Sequence, residues 1–508
     1  MEILVTKESI TPLERVMVTI AIMTSTVMQA LDTTIANVAL PHMQGSLGAS
    51  QSQISWVVTS YILSSAITMA LAGSLASRLG RKGLFLISIL GFTISSILCG
   101  LSGSLTSLVV CRFAQGIFGA SFVPLSQSIL LDIYPKEKHG SALALWGAGV
   151  MIGPILGPIL GGYITEMYGW QWVFFVNIPV GFAAFIGIGI FFKERLVPKI
   201  RPFDWSGFFL LSLFLTSLQL ALDRGEELDW LSSKEIKTEF LVAIISFYFF
   251  VVHSVTKKDP FLSLALFKDR NLVAGLVLGL TIGATLQATL VLTPEFLQKL
   301  MNYPVEIAGL IVATRSMGTL VAIILVKKLI THIDARYLVL TGLTIAAYSL
   351  HQMAGFSPNM DYWPIVNSGI SLGFGLGFVF VPLSLLSFST LAPTYRTEAA
   401  GIYNLVRYIG GSIGISMMVN FFTRHAQETH STLGESVTPF NKLYAFLPEI
   451  QSLHLIEAEK LELINQELTK QASTIAYLSS FKVLMILMVF SIPLLVLFKK
   501  SVSVIEKK

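Results

Sequence analysis

Long apolar runs recur along nearly the whole chain and are separated by short polar connections. Each run holds about 17–25 residues, the length that an α-helix needs to cross the hydrocarbon core of a bilayer. Fourteen runs can be counted, with centres near residues 28, 65, 93, 120, 152, 182, 214, 248, 282, 316, 346, 376, 410 and 488. The pattern predicts an all-α membrane protein with fourteen transmembrane helices.

Lysine and arginine lie mainly on one side of this predicted topology. If residue 1 is cytoplasmic, the connections that fall on the inner side carry most of the 35 basic residues. The three outer connections before position 200 carry none, and Arg112 lies just inside the fourth run. Because cytoplasmic loops are enriched in Lys and Arg, the pattern places both termini in the cytoplasm and favours an even number of spans.

Composition narrows the function class. The chain is 53% hydrophobic and 13% charged, against about 25% charged residues in soluble domains. Its net charge of +5 is explained by the inner loops, so no nucleic-acid partner is expected. We find no phosphate-binding loop, no Ser-His-Asp set and no His/Cys spacing typical of a metal site. We therefore expect no enzyme and no cofactor, and an ion gradient as the energy source.

Asp32 is the acid that lies deepest within an apolar run. A charge at that depth costs a few kcal/mol, about 2.5–3.5 on insertion scales, and usually faces a cavity. Gln29, Asp32, Thr33 and Asn37 fall within an arc of about 140° at 100° per residue. This polar face predicts a proton-coupling site beside a substrate cavity; the alternative is a structural hydrogen-bond stripe between helices.

The fourth span supplies a cation for this acid. Arg112, Gln115 and Gly119 lie on one helical face, and Arg112 is at a depth similar to that of Asp32. We predict that Arg112 pairs with Asp32, and the alternative is that Arg112 extends to the outer interface.

Other polar residues inside the spans are weaker candidates. Arg315 and Arg407 lie near the middle of spans ten and thirteen with no acid at that depth in the same half. Glu295 is a candidate for a secondary coupling acid near the outer end of span nine. We assign to the substrate cavity Gln29, Thr33, Asn37, Gln115, Gln287, Arg315, Asn404 and Arg407.

Span five is rich in glycine and proline. Glycines at four-residue spacing let another helix approach closely, and prolines remove backbone donors and bend a helix. This pattern predicts a packing seam, a hinge and seal between two bundles, or both. The residues concerned are Gly153, Pro154, Gly157, Pro158, Gly161 and Gly162.

Cys99 and Cys111 flank a short outer connection. A disulfide between them is geometrically conceivable, but two small apolar side chains are the favoured interpretation.

The two halves of the chain echo each other weakly at the basic loops after spans two and ten. Parallel repeats of this kind are a known transporter architecture. We predict six-helix bundles over 16–195 and 271–498, two inserted helices over 205–256, and cytoplasmic segments at 1–15 and 499–508. Within a long outer loop, 424–477, helical spacing between 448 and 470 predicts either a surface helix or a docking surface.

Four motifs resemble the fourteen-span drug:proton antiporter branch of the major facilitator superfamily. Residues 31–41 read LDTTIANVALP, 112–116 read RFAQG, 157–162 read GPILGG and 73–82 read GSLASRLGRK. In the last motif Ser77 replaces the usual acid. The resemblance implies a proton-coupling role for Asp32 and Arg112 and an inner-loop gate at Gly73, Arg78, Gly80 and Arg81.

Residues 222–230 (LDRGEELDW) and 435–441 (ESVTPFN) are similar to outer loops of EmrB-type pumps. The resemblance therefore implies a proton-coupled antiporter that exports hydrophobic and amphipathic drugs across an inner membrane. It also implies partners, namely a periplasmic adaptor of the EmrA type and a TolC-like outer-membrane channel. The alternative is a dedicated exporter of one amphiphile or anion, such as a fatty acid, bile salt or siderophore.

Overall fold

The computed structural model describes residues 11–194, 203–257, 260, 262–392, 395–435 and 457–499, and every regular element in these ranges is helical. The first half contains α1 (Pro12–Leu47), α2 (Gln51–Gly100), α3 (Leu105–Gly119), α4 (Phe122–Ile133), α5 (His139–Val150), α6 (Ile152–Tyr168), α7 (Trp172–Phe175) and α8 (Asn177–Phe191). The inserted pair is α9 (Trp205–Arg224) and α10 (Lys234–Thr256). The second half contains α11 (Arg270–Lys299), α12 (Val305–Leu329), α13 (Ala335–Met353), α14 (Tyr362–Phe388), α15 (Arg396–Glu435) and α16 (Glu457–Ser491). Short 3₁₀ helices lie at Lys136–Lys138, Trp230–Ser232, Leu264–Lys268 and Ile492–Leu497.

Local sequence fixes where the first helix begins and ends. The Thr11 hydroxyl accepts from the Glu14 amide while the Glu14 carboxylate accepts from the Thr11 amide, which forms a capping box. At the other end Gly48 takes a left-handed conformation with φ of 60°, which glycine adopts without steric cost.

Twelve stretches of the described chain are long and apolar enough to cross a membrane. One of them, within α2, is bent at Gly80, whose φ of 73° and ψ of 158° are not helical. Since α2 has 50 residues, about 75 Å at 1.5 Å per residue, it is long enough for two crossings. The 19-residue α13 is a further candidate. The helices are therefore compatible with the predicted fourteen spans.

The helices pack as two groups with the inserted pair beside them. In the first group α1 packs on α6 and α8, and α2 packs on α3. In the second, α11 packs on α15, and α14 packs on α12 and α13. Helix α9 pairs with α10 and also contacts α2 and α15. The inserted pair thus lies where the two groups meet. The exact bundle boundaries remain predictions, and residues 1–10 and 500–508 lie outside the described residues.

The two groups are in direct contact at one end, which we call the inner end because α1 begins and α4 ends there. Arg396 of α15 donates to Asp132 of α4 at 2.8 Å and to the Leu131 carbonyl at 3.0 Å. Arg81 also binds Asp132. Closer to the membrane centre, Asn404 donates to Gln127 at 2.8 Å. This polar seam closes the inner end.

The predicted outer loop 424–477 is largely helical where it is described. Helix α15 runs for 40 residues to Glu435 and α16 begins at Glu457. At 1.5 Å per residue α15 is about 60 Å long, roughly twice the thickness of a hydrocarbon core of about 30 Å. The 35 residues of α16 correspond to about 52 Å, so both helices are longer than a bilayer core. Residues 436–456, including the first part of the predicted 448–470 helix, lie outside the described residues.

The glycine face of span five packs against α1 within the first group. A Cβ at Gly153 would lie 2.6 Å from the Ala30 backbone carbon, and one at Gly157 would lie 2.1 Å from Thr34 Oγ1. Thr34 also donates to the Gly153 carbonyl at 3.1 Å. These contacts show a packing seam. A hinge role for Pro154 and Pro158 stays a prediction.

Replacement of Gly157 by alanine should destabilise the protein by about 1–3 kcal/mol, because the new methyl group overpacks against the stiff, β-branched Thr34. Gly162→Ala is the matched control, since a Cβ there meets nothing within 4 Å. The thermal unfolding midpoint of each purified variant in detergent measures the difference. Equal midpoints for the two variants would contradict the seam.

Candidate functional site

Asp32 lies inside a closed hydrogen-bond network. Its carboxylate accepts from Arg112 Nη1 at 2.7 Å, from Gln115 Nε2 at 2.8 Å and from Asn177 Nδ2 at 2.7 Å. Asp32 is 1% exposed. Three donors surround the carboxylate, and this arrangement satisfies the charged form of a group that would otherwise be costly to bury. The predicted pair is therefore present as a buried ion pair.

Arg112 is held from several directions and does not extend to the outer interface. Its Nε donates to the Val57 carbonyl at 3.3 Å and its Nη1 also donates to Gln115 Oε1 at 2.9 Å. The guanidinium carbon lies 4.4 Å from the centre of the Tyr61 ring and 5.6 Å from that of Phe174. Such cation–π contacts stabilise a desolvated guanidinium.

Asn177 and Tyr61 are among the members of this network that were not predicted from the sequence. Asn177 is the polar residue that opens the otherwise apolar α8, and it also donates to Ser96 Oγ at 2.9 Å. A single amide side chain in an apolar helix could have identified Asn177 as a candidate from the sequence. Nothing in the sequence marked Tyr61 as a candidate, because a tyrosine within an apolar run is usually part of the core.

A cavity of about 900 Å³ lies between the two helix groups. Four of the predicted cavity residues line it, namely Gln29, Thr33, Gln287 and Arg407. Pro154 lines it as well, and α9 contributes part of the wall. Asp32 is not among the lining residues. The proton-coupling candidate therefore lies behind the cavity wall, whereas Gln29 and Thr33 on the same helix face the cavity.

The other four predicted cavity residues lie elsewhere. Gln115 belongs to the Asp32 network, and Asn404 donates a hydrogen bond to Gln127. Arg315 is buried and donates to Thr289 Oγ1 at 2.8 Å and to the Leu286 carbonyl at 3.2 Å. Asn37 is exposed and does not line the cavity. The arc that joined Asn37 to Asp32 was too wide for all its members to share one environment.

The cavity opens away from the inner end. Its lining includes Gln53 and Trp56 at the start of α2, and Glu226 and Glu227 beyond the end of α9. The Asp132 seam closes the opposite end. Among the described residues, the cavity is therefore open at the outer end and closed at the inner end.

The inner-loop gate residues meet the seam in different ways. Arg81 binds Asp132, and the guanidinium of Arg78 lies 4.9 Å from the centre of the Phe203 ring. A Cβ at Gly73 would lie 2.7 Å from Glu398 Cα, which shows close approach between the two groups. Gly80 provides the bend described above. Position 77 is serine, and Asp132 joins the two groups here by binding Arg81 and Arg396.

Glu295 lies outside the cavity lining. It accepts from the Tyr477 hydroxyl at 3.2 Å and from Lys299 Nζ at 3.5 Å. Through these contacts Glu295 joins α11 to α16. Its role in proton coupling stays a prediction.

Cys99 and Cys111 are free thiols. Among the described residues no group of three or more His, Cys, Asp or Glu side chains could hold a metal ion.

Comparison with known proteins places this geometry in a family. Residues 22–415 match the sequence profile of the Major Facilitator Superfamily. The chain is 37% identical over 466 residues to "Multidrug export protein EmrB" of Escherichia coli (strain K12), covering 91% of each chain. It is 34% identical over 484 residues to "Fatty acid resistance protein FarB" of Neisseria gonorrhoeae, covering 95% of this chain and 96% of that one.

A solved structure agrees at the level of the fold. The human organic anion transporter MFSD10 (TETRAN) aligns with a TM-score of 0.62 at 14% identity, over 96% of this chain and 100% of that one. The prediction of an all-α, multi-pass membrane protein with the major-facilitator fold is confirmed.

The buried pair predicts an asymmetric response to mutation. Asp32→Asn leaves Arg112, which cannot lose its proton, as an unpaired buried charge and should cost about 3–5 kcal/mol of stability. Arg112→Met should cost less, because the remaining carboxyl can take up a proton. The double variant should be more stable than the sum of the two losses predicts. Thermal unfolding of the four proteins measures this cycle, and strictly additive losses would contradict a coupled pair.

Proposed function

Because this chain belongs to the major facilitator superfamily, we propose that it is a proton-coupled antiporter that exports hydrophobic and amphipathic compounds. The buried Asp32–Arg112 pair behind the wall of a cavity open at one end carries this proposal. An acid in the membrane interior that is paired and hydrogen-bonded is the arrangement expected of a proton relay.

The geometry supports indirect coupling between proton and substrate. When Asp32 takes up a proton, its attraction for Arg112 weakens. The guanidinium rests against Tyr61, whose side chain also lines the cavity. Helix α1 places Gln29 and Thr33 in the cavity on either side of Asp32 along the chain. Protonation therefore alters the cavity wall through α1 and Tyr61, without contact between the carboxyl and the substrate.

The relatives support export of amphipathic compounds and leave two substrate classes open. One is described as a multidrug export protein and another as a fatty acid resistance protein. Arg407 favours the second class, because it lines the cavity and its described contacts are with the uncharged Asn404 side chain and the Phe380 ring. A dedicated exporter of one anionic amphiphile is therefore the second candidate function.

The site needs no cofactor under this proposal, and the proton gradient supplies the energy. We place the chain in a bacterial inner membrane with both termini in the cytoplasm, so that the cavity opens toward the periplasm. Helices α15 and α16 extend beyond the bilayer on that side. They offer a docking place for a periplasmic adaptor of the EmrA type, which would lead the substrate to a TolC-like channel.

Reconstituted vesicles test the proposal. With an imposed proton gradient, wild-type protein should move a fluorescent lipophilic cation against its concentration gradient. Asp32→Asn should lose this gradient-driven accumulation by at least tenfold, because it has no carboxyl to protonate. Asp361→Asn, at an exposed acid outside the cavity lining, is the control and should retain most of it. Undiminished accumulation by Asp32→Asn would overturn the assignment of the coupling site.

A further inference from the structure

A second carboxylate faces the cavity from the inserted helix α9. Asp223 lies in the last turn of α9, is exposed, and is one of the residues that line the cavity. The sequence predicted this position to be part of an outer loop, so it was not considered as a cavity acid. In the structure it is the one acidic residue within α9.

No described basic side chain lies within salt-bridge distance of Asp223, whereas Arg224 and Glu226 beside it have partners of their own. Arg224 pairs with Glu235 and approaches Glu239 to 3.9 Å on α10. Glu226 accepts from the Trp230 indole at 2.9 Å and from Asn420 at 3.3 Å. Asp223 therefore presents a negative charge to the cavity that the surrounding protein does not neutralise.

The Asp223 carboxylate is held in place by a relay from the second helix group. Ser412 of α15 donates to Gln219 Oε1 at 2.9 Å, which leaves the Gln219 amide nitrogen to donate to Asp223 Oδ1 at 2.8 Å. Ser416 donates to the Leu222 carbonyl at 3.0 Å. These bonds fix α9 against α15 and orient the carboxylate toward the space between the groups.

Aromatic rings share the cavity with this carboxylate. Trp56, Tyr61 and Tyr408 all line it. A carboxylate beside aromatic faces is suited to a bulky organic cation, because charge attraction and cation–π contacts act together on the same ligand.

We propose that Asp223 is the residue of the inserted helix pair that recognises the positive charge of lipophilic cations in this cavity. It acts in substrate selection and is separate from Asp32, which acts in proton coupling. The inserted helices then have a chemical role, since they add a negative charge to one wall while Arg407 supplies a positive charge from α15. This inference deepens the proposed function and rests on it for the transport step but not for binding.

Binding to the purified full-length protein in detergent tests the inference. The probes are tetraphenylphosphonium, a lipophilic cation, and triphenylphosphine oxide, an uncharged analogue. Asp223→Asn should raise the Kd for the cation at least tenfold and change the Kd for the neutral probe less than twofold. Asp223→Glu should restore most of the cation affinity. Asp361→Asn, which removes an exposed acid that does not line the cavity, is the matched control and should change neither Kd.

Three results would overturn the inference. These are equal weakening of both probes by Asp223→Asn, an unchanged Kd for the cation, and no binding of the cation by wild-type protein.

Transport of the neutral probe distinguishes this inference from the proposed function. Asp223→Asn should retain gradient-driven transport of that probe, whereas Asp32→Asn should lose it. Loss in both variants would make Asp223 a coupling residue and overturn a role in recognition. If wild-type protein shows no gradient-driven transport while Asp223→Asn selectively weakens cation binding, the antiport proposal fails and the recognition site stands.

Discussion

The structure depends on keeping one ion pair charged and satisfied in the interior of a membrane protein. An isolated charge there is costly. Asp32 and Arg112 are stabilised because neighbouring helices of the first group supply hydrogen-bond donors and acceptors to them. Val57, Gln115 and Asn177 each make a direct bond to the pair. Removing any of these contacts leaves a buried polar group without a hydrogen-bond partner. The packing of α2, α3 and α8 around the pair therefore depends on whether Asp32 is charged.

A second ionic contact, at Asp132, has a different consequence. It joins the two helix groups through Arg396 and is less deeply buried than the Asp32 pair. Alternating access requires this seam to open when the cavity changes side. Under the proposed function the two networks have different roles: the Asp32 pair would take up the proton within the first helix group, and the Asp132 seam holds the two groups together. Helix α9 makes a third polar contact, because it is hydrogen-bonded to α15 and lines the cavity between the two helix groups.

Hydrophobic periodicity was enough to predict the helices, because apolar runs of membrane-spanning length have few alternative structures. The family was predicted from the resemblance of four motifs. The pairing of Asp32 with Arg112 was also predictable, since a buried acid requires a partner and the chain offers few at that depth. Partners from other helices were harder to identify. Asn37 shares an arc with Asp32 yet faces outward, and Asp223 looked like a loop residue because the end of α9 cannot be located from composition. Which polar residues share a cavity is set by helix rotation and packing, and one sequence does not determine these.

Proton release on substrate binding tests the central claim most directly. Purified protein in weakly buffered detergent solution would be mixed with tetraphenylphosphonium at a series of starting pH values while an indicator dye follows the solution pH. The account predicts release of about one proton per bound cation from wild type and none from Asp32→Asn with binding retained. Equal release from both proteins, or binding without release in wild type across the accessible pH range, would contradict it.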